Sequence, residues 1–326
     1  MKTDRISIAM CTYNGSGYLG EQLDSIAAQT MLPFELIVCD DGSSDSTLEI
    51  VTDFARTVSF PVKIYRNEER LGSTKNFEKA ISLCAGELIA LCDQDDRWLP
   101  EKLERLSVEF QQDASVGAVF SDGQLIDEDG RTTKNRLWNV FRFWEKNQRE
   151  FRTEAPFRLL CKGDFITGAT MMLRTSLRPV LFPIPRPWIH DAWLAWMVAL
   201  RCRVSFVADC LIEYRVHRSQ QIGTPATKSV RHRIRNCRTS QAAVCSARAA
   251  RFAELARYLA DEFPDAPASA KKEVRDLISI CQVRSALGNN PLKRLWLIGT
   301  NLPGYFRYAG GLRSALRDLL QERTKL

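Results

Sequence analysis

With 326 residues, 45% of them hydrophobic and 26% charged, the chain has the composition of a globular protein with a sizeable core, which excludes disorder as its default state. No window approaches the roughly 18 uninterrupted apolar residues of a spanning helix, and the opening MKTDRISIAM lacks the apolar centre of a signal peptide, so a cytoplasmic location is expected. The net charge of +7 hides an asymmetry: residues 226–326 hold 19 Lys/Arg and 8 Asp/Glu, a net +11, whereas the first 225 hold 27 and 31, a net −4. Two regions follow, 1–225 and a basic 226–326 that wants an anionic partner. The ten cysteines are scattered, several inside apolar runs (Cys39, Cys84, Cys92, Cys161), without metal spacing, and read as reduced, buried small hydrophobes.

In chain order, apolar runs at ISIAMC (6–11), FELIVC (34–39), VKIY (62–65) and ELIALC (87–92) alternate with the helical patterns YLGEQLDSIAAQ, STLEIVTDFA and TKNFEKAISLC. Continuous apolar strands between amphipathic helices predict βαβ crossovers and an α/β domain with a mainly parallel, Rossmann-like sheet. Ligands of such sheets bind beyond the carboxyl ends of the strands. Those ends read Thr12-Tyr13-Asn14, Asp40-Asp41-Gly42, Arg66-Asn67 and Asp93-Gln94-Asp95-Asp96. Four polar ends on one rim, two of them acidic, mark a site.

Gly15-Ser16-Gly17-Tyr18-Leu19-Gly20 matches GxGxxG and taken alone suggests a dinucleotide. Against that, its first glycine follows a polar step, and hydride chemistry gives the acid cluster no task. A divalent metal, Mg2+ or Mn2+, gives it one. Residues two apart in an extended segment face one side, so Asp93 and Asp95 converge while Gln94 turns away. Hard cations take such oxygens together with substrate phosphates, and neutralise charge on a departing diphosphate. Asp96 is expected to serve the N-terminus of the helix that follows Pro100.

The blocks MCTYNGSGYLGEQLDSIAAQT, ELIVCDDGSSDST, RLGSTKNFEKAI and LCDQDDRWLPEKL together resemble an inverting family 2 glycosyltransferase of GT-A fold, over residues 6–103. LCDQDDRWLPEKL and YRVHRSQQIG look most like bacterial rhamnosyltransferase-type members that build surface polysaccharide. The resemblance places the family's DXD motif on Asp93 and Asp95, with Asp93 also at the donor. It implies that Thr12, Tyr13 and Asn14 line the nucleotide pocket and that Asp41, with Asp40, hydrogen-bonds a uracil or thymine ring. Lys75 is either a base or diphosphate contact or a solvated helix lysine.

GDFITGATMMLR (163–174) reads as a loop and a strand, and by resemblance borders the acceptor pocket, where Gly168 permits close backbone approach. In FPIPRPWIHDAWLAWMVAL (182–200), Asp191 opens a helix, as an N-cap or, by similarity to the family's acidic block, as the catalytic base. His190 and Trp188 join the acceptor pocket on the same resemblance, while Trp193 fits core or pocket. VSFVADCLIEYRVH (204–217) reads as a strand that delivers His217, by resemblance a third metal ligand, otherwise a substrate contact or surface residue. The QxxRW block of the family's processive members is absent from this part of the chain, which by the resemblance favours transfer of one sugar per encounter.

From Thr227 onward the text is helical and basic, ending in a segment that interleaves Trp296, Tyr305, Phe306 and Tyr308 with arginines, as in a membrane-interface segment. The resemblance implies a nucleotide-sugar donor, a saccharide or lipid-linked acceptor and a peripheral position on the inner face of the cell membrane. A nucleic-acid partner is not expected, since no binding module accompanies the charge. A sugar-phosphate nucleotidyltransferase and a non-catalytic nucleotide-sugar-binding module are the competing readings.

Overall fold

The computed structural model describes residues 4–153, 156–217, 220 and 241–320. Among them, two compact units separate, one within Met1–Glu145 and Phe165–Thr227, the other within Lys146–Asp164 and Lys228–Leu326. The boundary expected at 225/226 lies outside the described residues. Residues 146–164, which composition assigned to the first region, belong to the second unit.

In the first unit the elements run β1 (Ile6–Thr12), α1 (Leu19–Ala27), β2 (Glu35–Asp40), α2 (Thr47–Ala55), β3 (Val62–Arg66), α3 (Ser73–Leu83), β4 (Leu88–Cys92), β5 (Arg97–Trp98), α4 (Lys102–Gln112), β6 (Val116–Ile126), β7 (Thr132–Arg136) and α5 (Leu137–Phe141). The chain then forms α6 (Glu145–Thr153) and α7 (Phe157–Lys162), and continues through β8 (Met171–Arg174), α8 (Arg178–Leu181), α9 (His190–Ala199) and β9 (Arg203–Arg215). Five helices follow in the second unit: α10 (Gln241–Asp261), α11 (Ala268–Ser285), α12 (Pro291–Thr300), α13 (Leu302–Tyr308) and α14 (Gly311–Leu320).

The sheet order is β3-β2-β1-β4-β8-β6-β9-β5, with β7 on β6. β3, β2, β1 and β4 are mutually parallel, and β8 enters antiparallel between β4 and β6. This is why the expected apolar runs are strands: β2 and β4 are buried at every position, a burial possible only with helices on both faces. Helix α3 turns Phe77, Ala80 and Ile81 to the sheet, and α9 is buried nearly all round. Around the long β6, Phe120 packs with Trp138, Phe143, Phe165 and Phe206, ring centroids lying 5.6–6.2 Å from its own.

In the second unit, α7 and the residues after it are held to the C-terminal helices by polar contacts, while Glu150 of α6 pairs with Arg158 of α7. The Arg251 guanidinium donates to both oxygens of Asp164 at 2.8 and 3.0 Å, a bidentate pair that explains the transfer of residues 146–164 to that unit.

At the amino ends of the parallel strands the buried Glu35 accepts from Ser7 Oγ (2.7 Å), Ala85 N (2.6 Å) and Lys63 Nζ (2.8 Å), joining β1, β2, β3 and the approach to β4. Burial alone would raise its pKa, but these three donors outweigh it and hold the carboxyl below its ordinary value. The stabilisation is therefore complete above the unfolded value of about 4.3 and is lost as pH falls through the lower folded value. Glu35→Ala is expected to cost about 2 kcal/mol by orphaning the buried donors. Urea titrations at several pH values should show the wild type losing stability below about pH 4.3, and the variant losing less over the same span.

Candidate active site

At the carboxyl ends of the strands, two of the expected loops are built by hydrogen bonds between neighbours. Asn14 takes a positive φ of 46°, which its short amide side chain tolerates, and its Oδ1 accepts from Ser44 N at 2.8 Å. Gly15 N donates to Thr47 Oγ1 and Ser16 N to Asp45 Oδ2, so the amides of this glycine-rich turn are consumed by the start of α2. Asp45 is correspondingly pushed down to about 2, its accepted hydrogen bonds from Thr47 and Ser16 outweighing a desolvation that acts the other way. That geometry removes the dinucleotide reading, because a phosphate cradle needs those N–H groups free.

The two aspartates after β2 divide their work. Asp40 is fully buried, and its oxygens accept from Thr12 Oγ1 (2.9 Å), Gly42 N (3.1 Å) and Ser43 N (2.8 Å). Asp40 and Thr12, expected at the nucleotide, are buried in this turn, and neither is among the residues lining the adjacent cavity. Asp41 lines a cavity of about 650 Å³ together with Tyr13, Gly42, Arg66, Asn67, Glu68 and Arg70. There it accepts from Leu71 N (2.7 Å), Gly72 N (2.8 Å) and Asn67 Nδ2 (2.9 Å), fixing the loop that carries Arg70. The Arg70 guanidinium lies 3.8 Å from the centre of the Tyr13 ring, one wall of the cavity. Lys75 is elsewhere engaged, in an ion pair with Glu78 at 2.7 Å, and does not line this cavity.

Between the cavity and the acid cluster stands Gln94. It lies in the bend that follows β4 and clamps the Tyr13 backbone: Tyr13 N donates to Oε1 at 2.8 Å and Nε2 donates to Tyr13 O at 3.1 Å. A Cβ on Gly15 would collide with this amide.

The acid cluster is more crowded than its sequence suggests. Burial, then Asp95, then Asp191 push Asp93 up to about 7, so Asp191, a hundred residues away in the chain, stands within electrostatic reach. Asp95 Oδ2 pairs with His217 Nε2 at 2.8 Å, and the imidazole tilts against the Tyr18 ring at 4.7 Å. Asp96 does not serve the following helix. It is buried, its Oδ1 accepts from Arg215 N at 2.9 Å, and its Oδ2 finds no partner among the described residues. Its pKa is raised by burial, Asp95 and Asp93.

Two cations that sequence reasoning missed support this charge. The Lys102 ammonium is fully buried, donates to Ala169 O at 2.6 Å and lies 3.6 Å from the Trp98 ring centre; burial pulls its pKa down to about 7, against the pull of the nearby acids. Arg215, equally buried, donates to Asp95 O (2.8 Å), Glu21 (2.6 Å) and Glu128 O (3.2 Å). The signals were present: Lys102 occupies the buried face with Leu103, Leu106 and Phe110, and Arg215 continues an apolar strand.

On the far side, Ile189 is the N-cap of α9 and Asp191 its second residue. Asp191 accepts from Ala192 N at 2.6 Å and, at 3.4 Å, from the amide of Gly168, which opens the 3-10 turn before β8. Its carboxylate is partly open to solvent. His190 and Trp188, expected in an acceptor pocket, are core residues. The His190 ring stacks on Phe77 at 4.1 Å, and burial pushes its pKa down to about 3, so it stays neutral. Trp188 is 2% exposed and packs edge-on against Trp193, whose Nε1 donates to Leu181 O. A hydrophobic helix buried on all sides takes its neighbouring rings inward with it. Gly168 belongs here: a Cβ would lie 2.7 Å from His190 Nε2.

Among the described residues no group of three or more His, Cys, Asp or Glu side chains is arranged as a ready ligand set for a metal. The donors nevertheless suit a hard divalent ion bound in an open site. Magnesium commonly uses one or two carboxylates and takes its remaining ligands from water and substrate phosphates. Asp93, Asp95 and the orphaned oxygen of Asp96 gather three carboxyl groups beside the buried Lys102 and Arg215.

Residues 7–180, more than half of the chain, match the family model described as glycosyl transferase family 2. An uncharacterised glycosyltransferase of Nostoc is 31% identical over 220 residues, 65% of each chain. The chondroitin synthase of Escherichia coli is 32% identical over 42% of this chain and 20% of its own length. A UDP-Glc:alpha-D-GlcNAc-diphosphoundecaprenol beta-1,3-glucosyltransferase of Escherichia coli is 27% identical over 58% of this chain and 68% of its own. The chain thus spans less than two thirds of the Nostoc relative and a fifth of the synthase. Two solved structures share the fold at 18% identity. A Pyrobaculum calidifontis mannosyltransferase in complex with GDP-Man and Mn2+ has a TM-score of 0.56 over 99% of this chain and 89% of its own. Staphylococcus aureus TarS 1-349 in complex with UDP-GlcNAc has 0.55 over 92% and 81%. Both are GT-A structures, and the sheet described above is of that fold.

Gly15→Ala should displace Gln94 and leave the Tyr13 amide unpaired, costing ~1–3 kcal/mol of stability in a thermal melt. Nucleotide affinity, read by calorimetry, should fall with it. Gly168→Ala should instead leave nucleotide affinity intact and lower turnover, since its collision is with His190 beside Asp191.

Proposed function

Because the chain belongs to glycosyl transferase family 2, we propose that it transfers a sugar from a nucleoside-diphosphate sugar, with dTDP-rhamnose or a UDP-hexose as donor, to a saccharide or lipid-linked acceptor. The transfer proceeds with inversion, in the synthesis of cell-surface polysaccharide, at the inner face of the cell membrane. One observation supports the reading: Gln94, next in the chain to Asp93 and Asp95, clamps the Tyr13 backbone at the wall of the cavity, while Asp191 acts electrostatically on Asp93. A cavity of about 650 Å³ beside a group of carboxylates supports a nucleotide whose diphosphate is accompanied by a cation.

In this reading the Tyr13 ring, Arg66, Asn67 and Arg70 enclose the base, and Asp41 offers its remaining lone pairs to a ring N–H. Asp93 and Asp95 would hold the divalent ion, Mg2+ or Mn2+, with His217 orienting Asp95. When bound, that ion supplies neutralisation of the charge on the departing diphosphate. Asp191 accepts the proton of the acceptor hydroxyl as its oxygen attacks the anomeric carbon from the face opposite the diphosphate. The amides of Gly168 and Ala192 hold the Asp191 carboxylate at the first turn of α9. The relatives that act on nucleotide sugars and a diphosphoundecaprenol acceptor, as their names state, support the donor and acceptor classes.

The test is a panel of nucleotide sugars with Mn2+ and candidate acceptors, followed by release of nucleoside diphosphate. Asp191→Asn should lower acceptor-dependent release by at least about 100-fold while nucleotide binding persists. Asp95→Ala should abolish the dependence of binding on Mn2+. Release of inorganic pyrophosphate from a nucleoside triphosphate and sugar phosphate would reassign the site to a nucleotidyltransferase. Binding without turnover on every acceptor would make it a recognition module, and metal-independent transfer at wild-type rate by Asp93→Ala/Asp95→Ala would reject the mechanism.

A further inference from the structure

Helices α12 and α14 are mounted with their apolar faces outward. In α14 the buried positions are Gly311, Ser314, Ala315 and Asp318, all small or polar, while Leu312, Leu316 and Leu320 are 56%, 56% and 77% exposed. In α12 the buried positions are Arg294 and Ile298, whereas Leu292, Leu295 and Trp296 are 77%, 57% and 65% exposed. Spacings of i, i+3, i+4 and of i, i+4, i+8 set each trio on one helix face.

The inversion is locked from within. Asp318 receives Arg284 Nε at 2.7 Å and the Tyr305 hydroxyl at 3.0 Å, both buried, and Arg294 donates to Leu319 O at 3.0 Å. Rotating α14 to hide its leucines would expel Asp318 and strand Arg284 in the core, a change costing more than the burial returns. Two helices held this way present a leucine and tryptophan surface to whatever lies outside, more than a monomer in water leaves uncovered.

Charge identifies the cover. Residues 291–320 contain five Lys/Arg and one carboxylate, Asp318, which is buried. The exposed charges beside the leucines are Lys293, Arg313 and Arg317, all positive. A second copy of the chain would set these cations against their like with no exposed acid in the segment to pair them. A bilayer containing anionic phospholipid accepts both features, the leucines and Trp296 entering the headgroup boundary and the cations meeting phosphates. No helix among the described residues is long and apolar enough to cross a membrane, so the contact is one of lying on the surface.

We propose that the outward faces of α12 and α14 form a docking surface for an anionic phospholipid bilayer. The proposal deepens the membrane location in the transfer reading and rests on that reading only for which leaflet is met. The experiment is co-sedimentation of the full chain with vesicles of phosphatidylcholine alone and of phosphatidylcholine with phosphatidylglycerol in equal parts. Three exposed cations should raise partitioning onto the anionic vesicles by about 100-fold at low salt, with most of the gain lost at high salt. Leu312→Ser/Leu316→Ser and, separately, Arg313→Glu/Arg317→Glu should each reduce it at least tenfold (about the value of one to two buried leucines or reversed charges). Their melting temperatures and turnover on a soluble acceptor should stay those of wild type, which separates failure of docking from failure of transfer. Equal binding to both vesicles, or binding that survives both double variants, overturns the proposal. So does absence of binding, whether the chain sediments as a monomer or as an oligomer that Leu312→Ser/Leu316→Ser dissociates, the latter assigning the face to self-association.

Discussion

Like charge held at close quarters is the constraint on which the rest of the catalytic unit depends. At the end of β4, burial and the neighbouring carboxylates raise Asp93 (Asp95, then Asp191) and Asp96 (Asp95, then Asp93), because the surrounding protein excludes the water that would screen them. The fold answers with two buried cations, each placed by a different element: Lys102 from the start of α4 and Arg215 from the end of β9. Neither faces solvent, and both are tied to backbone carbonyls of the turns they support. The turn DQDD is braced by the Arg215 backbone and guanidinium, which donate to Asp96 and to the Asp95 carbonyl, and by the Gln94 amide on Tyr13.

Rigidity at this rim is inherited from the opposite end of the sheet. Glu35 ties the amino ends of the parallel strands together, so that their carboxyl ends, five or six residues away, emerge in a fixed order. The loops then brace each other sideways: Asn14 to Ser44, Tyr13 to Gln94, Asp41 to the Leu71 and Gly72 amides. Side chains conspicuous in sequence for their polarity turn out to act as backbone ligands. A polar strand end is a bid for a hydrogen bond, and whether backbone or substrate answers it depends on what the next loop brings near.

Much of the architecture was legible because it rests on periodicity. Strands 6–12, 35–40, 62–66 and 88–92 announced themselves as apolar runs. Strand alternation does not govern the acid cluster, because β4 ends at Cys92 and Gln94 lies in a bend that turns it to the Tyr13 backbone. Asp40 and Asp41 could not be told apart, since adjacent residues of one type differ only in which side of the turn they face. Trp188 and His190 were misplaced for a related reason: proximity in sequence to Asp191 says nothing of which way a ring points once the helix beside it is buried all round.

Local pattern thus determined the α/β class, the mainly parallel sheet, the polar residues at the strand ends and the basic, aromatic character of the C-terminal helices. Each of these depends on residues a few positions apart. Tertiary structure alone decided the pairing of Asp95 with His217, the approach of Asp191 to Asp93, the burial of Lys102 and Arg215, and the outward mounting of Leu312 and Leu316. Those outcomes turn on segments that lie far apart in the chain, and on the price of leaving a charge unpaired in the interior, which no local spacing records.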